Sequence, residues 1–184
     1  MLDAAEHLFR VRGYRSVSMV DAAEHGSAPR GSIYFHFPGG KEQLGAEVAA
    51  KVGAGLVEII DDAATRARTP AGIVERLCNA LADRLVASGY TEGCPLAPIA
   101  IEMVPESETL HEASGQAFGD WRAALTARMI EKGLPASQAP SIAEMTISAI
   151  EGALVLGRID RSVAPLKNVS RMMSKLIRAE TTRG

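Results

Sequence analysis

Long uncharged apolar runs are missing from this chain of 184 residues, although 47% of them are hydrophobic. A membrane-spanning helix needs about 18 such residues in succession, and even the apolar stretch MTISAIEGALVLG carries Glu151 in its middle. The N-terminus also lacks the basic start, apolar stretch and small-residue cleavage site of a secretory signal. These two absences predict a cytoplasmic protein with no membrane partner.

Cysteine is scarce as well, since only Cys78 and Cys94 are present. No second pair gives them the spacing of a zinc knuckle, so we expect two reduced structural thiols, with a redox switch as the alternative. The four histidines show no metal-ligand spacing either. The sequence therefore predicts neither a metal site nor a cofactor.

Recognisable catalytic motifs are absent. Ser162 and the two cysteines have no nucleophile setting, and PGGK at residues 38–41 lacks the longer signature of a phosphate-binding loop. We expect no catalytic residues and no enzymatic activity. A small all-α enzyme is the least favoured alternative.

No stretch alternates apolar and polar residues for long enough to predict a strand, whereas apolar residues recur at intervals of three and four along most of the chain. The pattern predicts an all-α protein with three short helices in an N-terminal head. A long fourth helix at 41–68 leads, as the only connection, into a helical body with helices near 70–88, 95–104, 107–133, 137–159 and 165–180. The predicted domains are 1–42 and 43–184.

The net charge of −2 conceals an uneven distribution. Residues 1–42 balance five acids with five bases, residues 43–157 sum to −7, and residues 158–184 sum to +5. Within the head, residues 25–41 contain His25, Arg30, His36 and Lys41 but no acid. This local cationic patch favours a phosphate-bearing partner.

Two short helices joined by a tight turn at 26–28 follow an amphipathic first helix, which is the layout of a helix-turn-helix. When the third helix is projected at about 100° per residue, Ile33 and Phe37 face the core of the head. The outward arc is formed by Arg30, Gly31, Tyr34 and Phe35. The helix is a rod of about 12 Å, comparable to the width of the major groove of B-DNA.

The outward arc has the chemistry of a DNA reader. The planar donor fork of Arg30 suits the O6 and N7 atoms of guanine, Phe35 suits a thymine methyl, and Gly31 permits close backbone approach. Donors suited to phosphate oxygens are Ser18, Ser32, the Tyr34 hydroxyl and Lys41. His36 completes the predicted DNA-binding set. The alternative is a solvated basic face on which His36 is packed or satisfies the helix dipole.

Residues 2–48, with LDAAEHLFRVRGY, SVSMVDAAEHGSAPRGSIYFHF and KEQL, resemble the tetracycline-repressor (TetR) family of bacterial regulators. FPGGK, GCPLAPIAIE and the body patterns W..AL and EGAL.L.R..RS..PL are similar to a subgroup of drug- and flavonoid-responsive repressors of the LmrA and YxaF kind. The family usually has Ala-Gly-Val in the turn, where this chain has Gly26, Ser27 and Ala28. The resemblance implies a ligand-responsive repressor that binds a palindromic operator in double-stranded DNA.

The resemblance also implies an effector pocket in the body for a small hydrophobic or aromatic molecule. We expect its lining to include Leu81, Leu85, Leu96, Glu102, Met103, Phe118, Trp121, Leu125 and Ile150. Ordinary core packing is the alternative for the apolar members. Glu102 lies within an apolar stretch, so it is either solvated at a helix edge or contacts a polar or cationic ligand group.

The last two helices carry apolar faces that need a partner. A seam of four helices from two copies would cover both faces, and a twofold dimer would present two recognition helices to a palindrome. The predicted homodimer interface contains Ile142, Met145, Ala149, Ala153, Leu156, Leu166, Val169, Met173 and Leu176. The alternatives are a monomeric bundle and a helical protein-interaction adaptor that does not bind DNA.

Overall fold

The computed structural model describes residues 1–182. This part of the chain forms nine helices and no strand, which confirms the all-α prediction. The helices are α1 (Leu2–Arg12), α2 (Met19–His25), α3 (Arg30–His36), α4 (Gly40–Arg66), α5 (Pro70–Ala87), α6 (Leu96–Met103), α7 (Glu108–Glu131), α8 (Ala139–Asp160) and α9 (Ala164–Thr181). In this described part, no helix has the length and apolar character that a bilayer crossing requires.

The helices group into two compact units. Unit 1 contains Met1–Ala54 and Glu92–Phe118, and unit 2 contains Gly55–Thr91 and the chain from Gly119 onward. These units do not coincide with the predicted head and body, because the chain passes between them after residues 54, 91 and 118. Unit 1 contains the three head helices together with α6 and the first part of α7. The division into a DNA-binding domain at 1–42 and a second domain at 43–184 stays a prediction.

Unit 1 is built on the apolar core of the three short helices. Phe9 and Ile33 are fully buried, and Phe37 is 6% exposed, so the inward face of α3 is the predicted one. The ring of Phe9 lies 5.1 Å from that of Tyr14. Burial raises the pKa of Tyr14 to about 12, and Glu42 adds to the shift, so the phenol stays neutral.

Two glycines of α4 allow the remaining parts of unit 1 to pack closely. A Cβ on Gly45 would stand 2.8 Å from Tyr14 Cε2 and 2.9 Å from Leu110 Cδ2. A Cβ on Gly53 would stand 3.0 Å from the Cβ of Ala117. The absence of a side chain at both positions lets α4 approach the start of α7. Residues 92–118 are therefore held against the N-terminal part of α4.

In unit 2, α9 packs on α5 and α8. Glu75 of α5 accepts a hydrogen bond from the Ser174 hydroxyl at 3.2 Å and pairs with Arg178 at 3.0 Å. On α8, a Cβ at Gly157 would lie 2.8 Å from Leu85 Cδ2, so α8 contacts α5 through a glycine. Cys78 of α5 is buried, and burial raises its pKa to about 12, which agrees with the role expected of a structural thiol.

Candidate nucleic-acid interface

The turn between α2 and α3 is closed by backbone hydrogen bonds of the Schellman type. Ala28 N–H donates to the Ala23 carbonyl at 2.9 Å, and Ser27 N–H donates to the Glu24 carbonyl at 3.0 Å. Ser27 has φ 52 and thus occupies the left-handed region, which a glycine adopts without strain. It is the middle residue of the turn, where the resembled family usually has glycine.

Gly26 precedes this residue and lies in a tight space. A Cβ at this position would lie 3.1 Å from the Ala22 carbonyl oxygen and 3.2 Å from the backbone nitrogen of Met1. Ser27 therefore supplies the turn conformation, while Gly26 supplies the space. Together they set the angle at which α3 leaves α2.

The third helix begins directly after a proline. Pro29 is the N-cap of α3, with φ −57 and ψ 135. The Pro29 carbonyl still accepts from Ser32 N–H at 2.9 Å, so the chain enters the helix without a break. Arg30 becomes the first helical residue.

The predicted DNA-binding residues of α3 lie together on its outward side. Phe35 is 83% exposed and Tyr34 is 54% exposed, whereas Ser32 is half-buried. Arg30, Gly31 and His36 are exposed. In the described residues 1–182, no atom outside the local helix backbone lies within 4 Å of the position that a Cβ of Gly31 would occupy. The edge of the His36 ring contacts the Phe35 ring at 5.6 Å. The helix thus presents a cation, two aromatic rings and open backbone to solvent.

Arg30 is joined to an acid on the preceding helix. Its Nη2 atom forms an ion pair with Glu24 Oε1 on α2, and both side chains are largely exposed. The acid-free segment at 25–41 is therefore flanked in space by a carboxylate. Because Arg30 and Glu24 are six residues apart on two different helices, no helical spacing rule points to the pair.

Ser18 and Asp21 cap the N-terminus of α2. The Ser18 hydroxyl accepts from Asp21 N–H at 3.0 Å, and Ser18 N–H donates to Asp21 Oδ2 at 2.7 Å. Hydrogen bonds from the Ser18 hydroxyl and backbone lower the pKa of the Asp21 carboxyl. A phosphate contact from the Ser18 hydroxyl would have to replace its bond to this carboxylate.

Lys41 folds back on the loop after α1. Its ammonium donates to the Arg15 carbonyl at 3.1 Å and lies 4.4 Å from the centre of the Tyr14 ring. Burial lowers the pKa of Lys41, and the negative charge of Glu102 acts in the opposite direction. The predicted phosphate donor is thus half-buried and also connects α4 to the α1–α2 loop.

Glu102 of α6 joins the same loop within unit 1. Its Oε2 atom accepts from Arg15 N–H at 2.7 Å, and its carbonyl accepts from Arg15 Nη2 at 2.9 Å. Arg15 Nη2 also pairs with Glu106 Oε2 at 2.7 Å. A Cβ at Gly13 would lie 2.9 Å from Glu102 Oε1, so the carboxylate lies directly against the loop backbone. The segment at 102–106 is therefore attached to the helix-turn-helix.

The residues of the predicted effector pocket belong to both units. Those of unit 1 are Leu96, which is buried, and Glu102, Met103 and Phe118, which are half-buried. Those of unit 2 are the buried Leu85, Trp121, Leu125 and Ile150 and the half-buried Leu81. Their role in ligand binding stays a prediction.

The predicted dimer residues fall into two groups. Four are buried within the single chain: Ile142, Ala153, Leu166 and Met173. Ala149, Val169 and Leu176 are half-buried, and Met145 and Leu156 are exposed. The exposed members belong to a surface that we call the α8 face, which consists of Met145, Gly152, Val155, Leu156 and Ile159. The α8 face lies on unit 2, and Met172 of α9 is exposed as well.

Comparison with known proteins agrees with the helix-turn-helix geometry. The family model described as bacterial regulatory proteins of the tetR family matches residues 1–48, and that of the LmrA/YxaF-like C-terminal domain matches residues 70–172. An uncharacterized HTH-type transcriptional regulator of Mycobacterium tuberculosis is 30% identical over 98% of this chain and 93% of its own. The chain belongs to the TetR family. The HTH-type transcriptional regulator LmrA of Bacillus subtilis is 28% identical over 97% of this chain and 95% of its own.

Solved structures of TetR regulators share the fold. One from Legionella pneumophila has a TM-score of 0.84 at 22% identity and covers 96% of this chain and 94% of its own. One from Rhodobacter sphaeroides has a TM-score of 0.82 at 19% identity, with 95% of each chain covered. The nine-helix arrangement of residues 1–182 is thus the TetR arrangement.

Membership of the TetR family identifies the protein as a DNA-binding transcriptional regulator rather than an enzyme. Among residues 1–182, no three His, Cys, Asp or Glu side chains are grouped so that they could hold a metal ion.

Sequence reasoning missed three charged residues around this interface. Glu24, Arg15 and Glu106 were not selected, because each acts through a partner that the fold brings close. The contact between Arg15 and Glu102 joins positions 87 residues apart. The signal that was available, an acid within an apolar stretch, identified Glu102 but not its partner.

Proposed function

We propose that this TetR-family member is a repressor that binds a palindromic operator as a homodimer and leaves it when a small hydrophobic or aromatic effector binds. The observation that carries the proposal is the outward face of α3, where Arg30, Tyr34 and Phe35 are exposed on a helix-turn-helix. Because a cationic donor fork, a phenol and an apolar ring suit base edges and phosphates, this face fits the major groove. A regulator of this kind acts in the cytoplasm, on the bacterial chromosome.

In the proposed complex, α3 reads bases while its surroundings contact phosphates. Arg30 donates to O6 and N7 of a guanine, and Phe35 contacts a thymine methyl. Gly31 allows the DNA close to the helix backbone, because the space beside it is open. The phosphate contacts come from Ser18, Ser32, Tyr34, His36 and Lys41. Base contacts of this kind set sequence preference, and phosphate contacts set position and salt dependence.

The α8 face supports the proposed homodimer. Met145, Val155, Leu156 and Ile159 are each more than half exposed, and they recur along α8 at helical spacing with Gly152 among them. Within residues 1–182, no atom outside the local backbone of α8 lies within 4 Å of the position that a Cβ of Gly152 would occupy, so a second helix can approach there. A continuous aliphatic surface of this kind needs a partner, and a second copy offers the same surface.

A twofold dimer determines the form of the operator. Two copies of α3 related by a twofold axis read two inverted half-sites. When the two helices enter successive major grooves on one side of the duplex, the half-sites are about 34–36 Å apart. The proposal therefore predicts a palindrome rather than a single site.

Contacts of α6 within unit 1 support a route by which an effector could act on the head. Glu102 holds Arg15 through the backbone N–H and the guanidinium, and Glu106 adds an ion pair. A shift of α6 therefore moves the loop that leads into α2, in addition to any effect through α4. A coupling free energy of about 1–3 kcal/mol between effector and operator is sufficient for regulation.

Selection of bound fragments from genomic DNA tests the proposed operator. The purified protein is expected to enrich a palindrome, and binding titrations at fixed salt are expected to show at least about 1000-fold preference for it over random duplex. Equal affinity for all duplexes would reject sequence-specific repression. No binding to any duplex at low salt would reject the DNA-binding proposal as a whole.

Effector titrations test the proposed response. A panel of small aromatic and polycyclic compounds is added to the protein–operator complex at fixed salt, and release by at least one compound is expected. Glu102→Gln is expected to reduce the ratio of operator affinities without and with that compound, because it weakens the attachment of α6 to Arg15. Glu112→Gln removes an exposed acid of α7 and serves as the charge-matched control. An unchanged ratio in Glu102→Gln would reject the α6 route.

A further inference from the structure

We infer that Glu24 is a positioning residue for sequence recognition, which holds the Arg30 guanidinium in the orientation that reads a base and also reduces binding to unrelated DNA. The inference rests on the proposed function, because it assigns a role within the same α3 surface. It starts from the ion pair between Glu24 Oε1 and Arg30 Nη2.

The pair joins the end of one helix to the beginning of the next. Glu24 lies in the last turn of α2, where its carbonyl accepts from Ser27 N–H at 3.0 Å. The backbone that carries the carboxylate is therefore fixed by the turn. Arg30 is the first residue of α3, and its side chain extends back over the same turn.

The ion pair leaves most of the arginine free to bind. Within residues 1–182 the Arg30 side chain has no other hydrogen bond or ion pair, and its Nη1 and Nε atoms remain available as donors. Arg30 is 73% exposed and Glu24 is 51% exposed. One donor of the fork thus restricts the orientation of the guanidinium plane, while the others can reach a base edge.

A stabilising role explains the pair poorly. Exposed ion pairs contribute little to folding, because water screens them and both side chains lose rotamer freedom. For DNA binding the same restriction is favourable, since a long side chain that is already oriented loses less freedom when it meets a guanine. The charge of Glu24 has a second effect, because a carboxylate beside the DNA-facing helix repels phosphates in every sequence.

Removal of Glu24 should therefore change binding in opposite directions on the operator and on random duplex, which distinguishes this role from a general loss of structure. Glu24→Ala is expected to weaken binding to the selected operator by about fivefold to tenfold, because Arg30 is no longer oriented. The same change is expected to strengthen binding to random duplex by about twofold, because one repulsive charge is removed. Glu24→Gln keeps an acceptor for Arg30 and is expected to lose less operator affinity than Glu24→Ala.

The experiment compares full-length wild type, Glu24→Ala, Glu24→Gln, Arg30→Ala and the Arg30→Ala, Glu24→Ala double variant on both duplexes at one salt concentration. In the Arg30→Ala background, removal of Glu24 is expected to cause no further loss on the operator. Glu47→Ala provides the control, because it removes an exposed carboxylate of α4 and should change binding to both duplexes by the same small factor. Thermal unfolding shows whether each variant is folded.

The inference is overturned if Glu24→Ala changes operator and random binding by the same factor, or if its operator loss persists without Arg30. Either result leaves the proposed function intact, because wild type still prefers its operator. A wild-type protein without such a preference would overturn the proposed function first, and this inference with it.

Discussion

Two exposed surfaces of the molecule contain large apolar side chains but differ in what surrounds them. On α3 of unit 1, Phe35 is 83% exposed among the donors Arg30, Ser32 and Tyr34. On the α8 face of unit 2, Ile159 is 71% exposed among aliphatic side chains and Gly152. The first surface can satisfy the acceptors of a nucleic acid, whereas the second can only exclude water against a similar surface. Exposure of an apolar side chain therefore does not identify the partner of a surface. The hydrogen-bond donors beside that side chain indicate which partner fits.

The two surfaces also differ in how their helices are held. Seven residues of α3 are too few for a stable isolated helix, so their orientation depends on the turn at 26–28 and on buried Ile33 and Phe37. The 22 residues of α8 form a long helix that uses one side for the core of unit 2. A change in the turn should therefore alter the α3 surface, whereas a substitution on the α8 face should leave α8 itself folded.

The largest effect is expected from a charge on the α8 face. Leu156→Glu places a carboxylate on the proposed dimer surface, where pairing would bury it without a partner. We expect a folded monomer by sedimentation equilibrium and a loss of about 100-fold or more in affinity for the palindrome, because two linked half-site contacts become one.

Val86→Glu provides the control for this variant. Val86 lies on α5 and is 51% exposed, close to the 52% of Leu156. The Val86→Glu protein should remain dimeric and keep its operator affinity. A dimeric Leu156→Glu protein would show that the comparison assigns the wrong role to the α8 face.

The next largest effect is expected on the α3 surface. Arg30→Ala removes the donor fork, so discrimination at one base pair of each half-site should fall by about 1–3 kcal/mol, with little change in binding to random duplex. Competition binding with operators substituted at each position measures this. An equal loss on operator and random duplex would mean that Arg30 contacts phosphate.

A smaller effect is expected from the turn that orients α3. Because Ser27 has φ 52, Ser27→Gly should remove strain and raise the free energy of unfolding by about 1 kcal/mol, measured by denaturant titration. Ser27→Ala keeps the Cβ and should remain within about 0.5 kcal/mol of wild type. Should both variants behave alike, the hydroxyl and not the backbone conformation would determine the effect.

The smallest effect is expected at Lys41, on the edge of the α3 surface. If its ammonium contacts a phosphate, Lys41→Ala should weaken binding to all sequences and reduce the slope of log affinity against log salt by about one per half-site. Lys51→Ala is the control, because Lys51 pairs with Asp3 and Glu6 on α1. An unchanged slope would leave Lys41 with its observed bond to the Arg15 carbonyl as its only function.

The residue pattern predicted the faces of α3 correctly because a helix has a fixed angular period. Ile33 and Phe37 are buried, and Arg30, Gly31, Tyr34 and Phe35 are exposed, as expected. The same reasoning was less informative for α8, where apolar residues lie on nearly all sides. It gave no way to separate Ile142 and Ala153, which are buried, from Met145 and Leu156, which are exposed.

By itself, the sequence determined the helices, the helix-turn-helix and the residues that face outward on α3, because these follow from local periodicity, capping and glycine. Only the tertiary structure decided that Glu24 pairs with Arg30, that Glu102 joins Arg15, and that residues 92–118 group with the head. The physical reason is that these contacts join residues on different helices. Their distances depend on how whole helices pack, and no spacing along the chain encodes that packing.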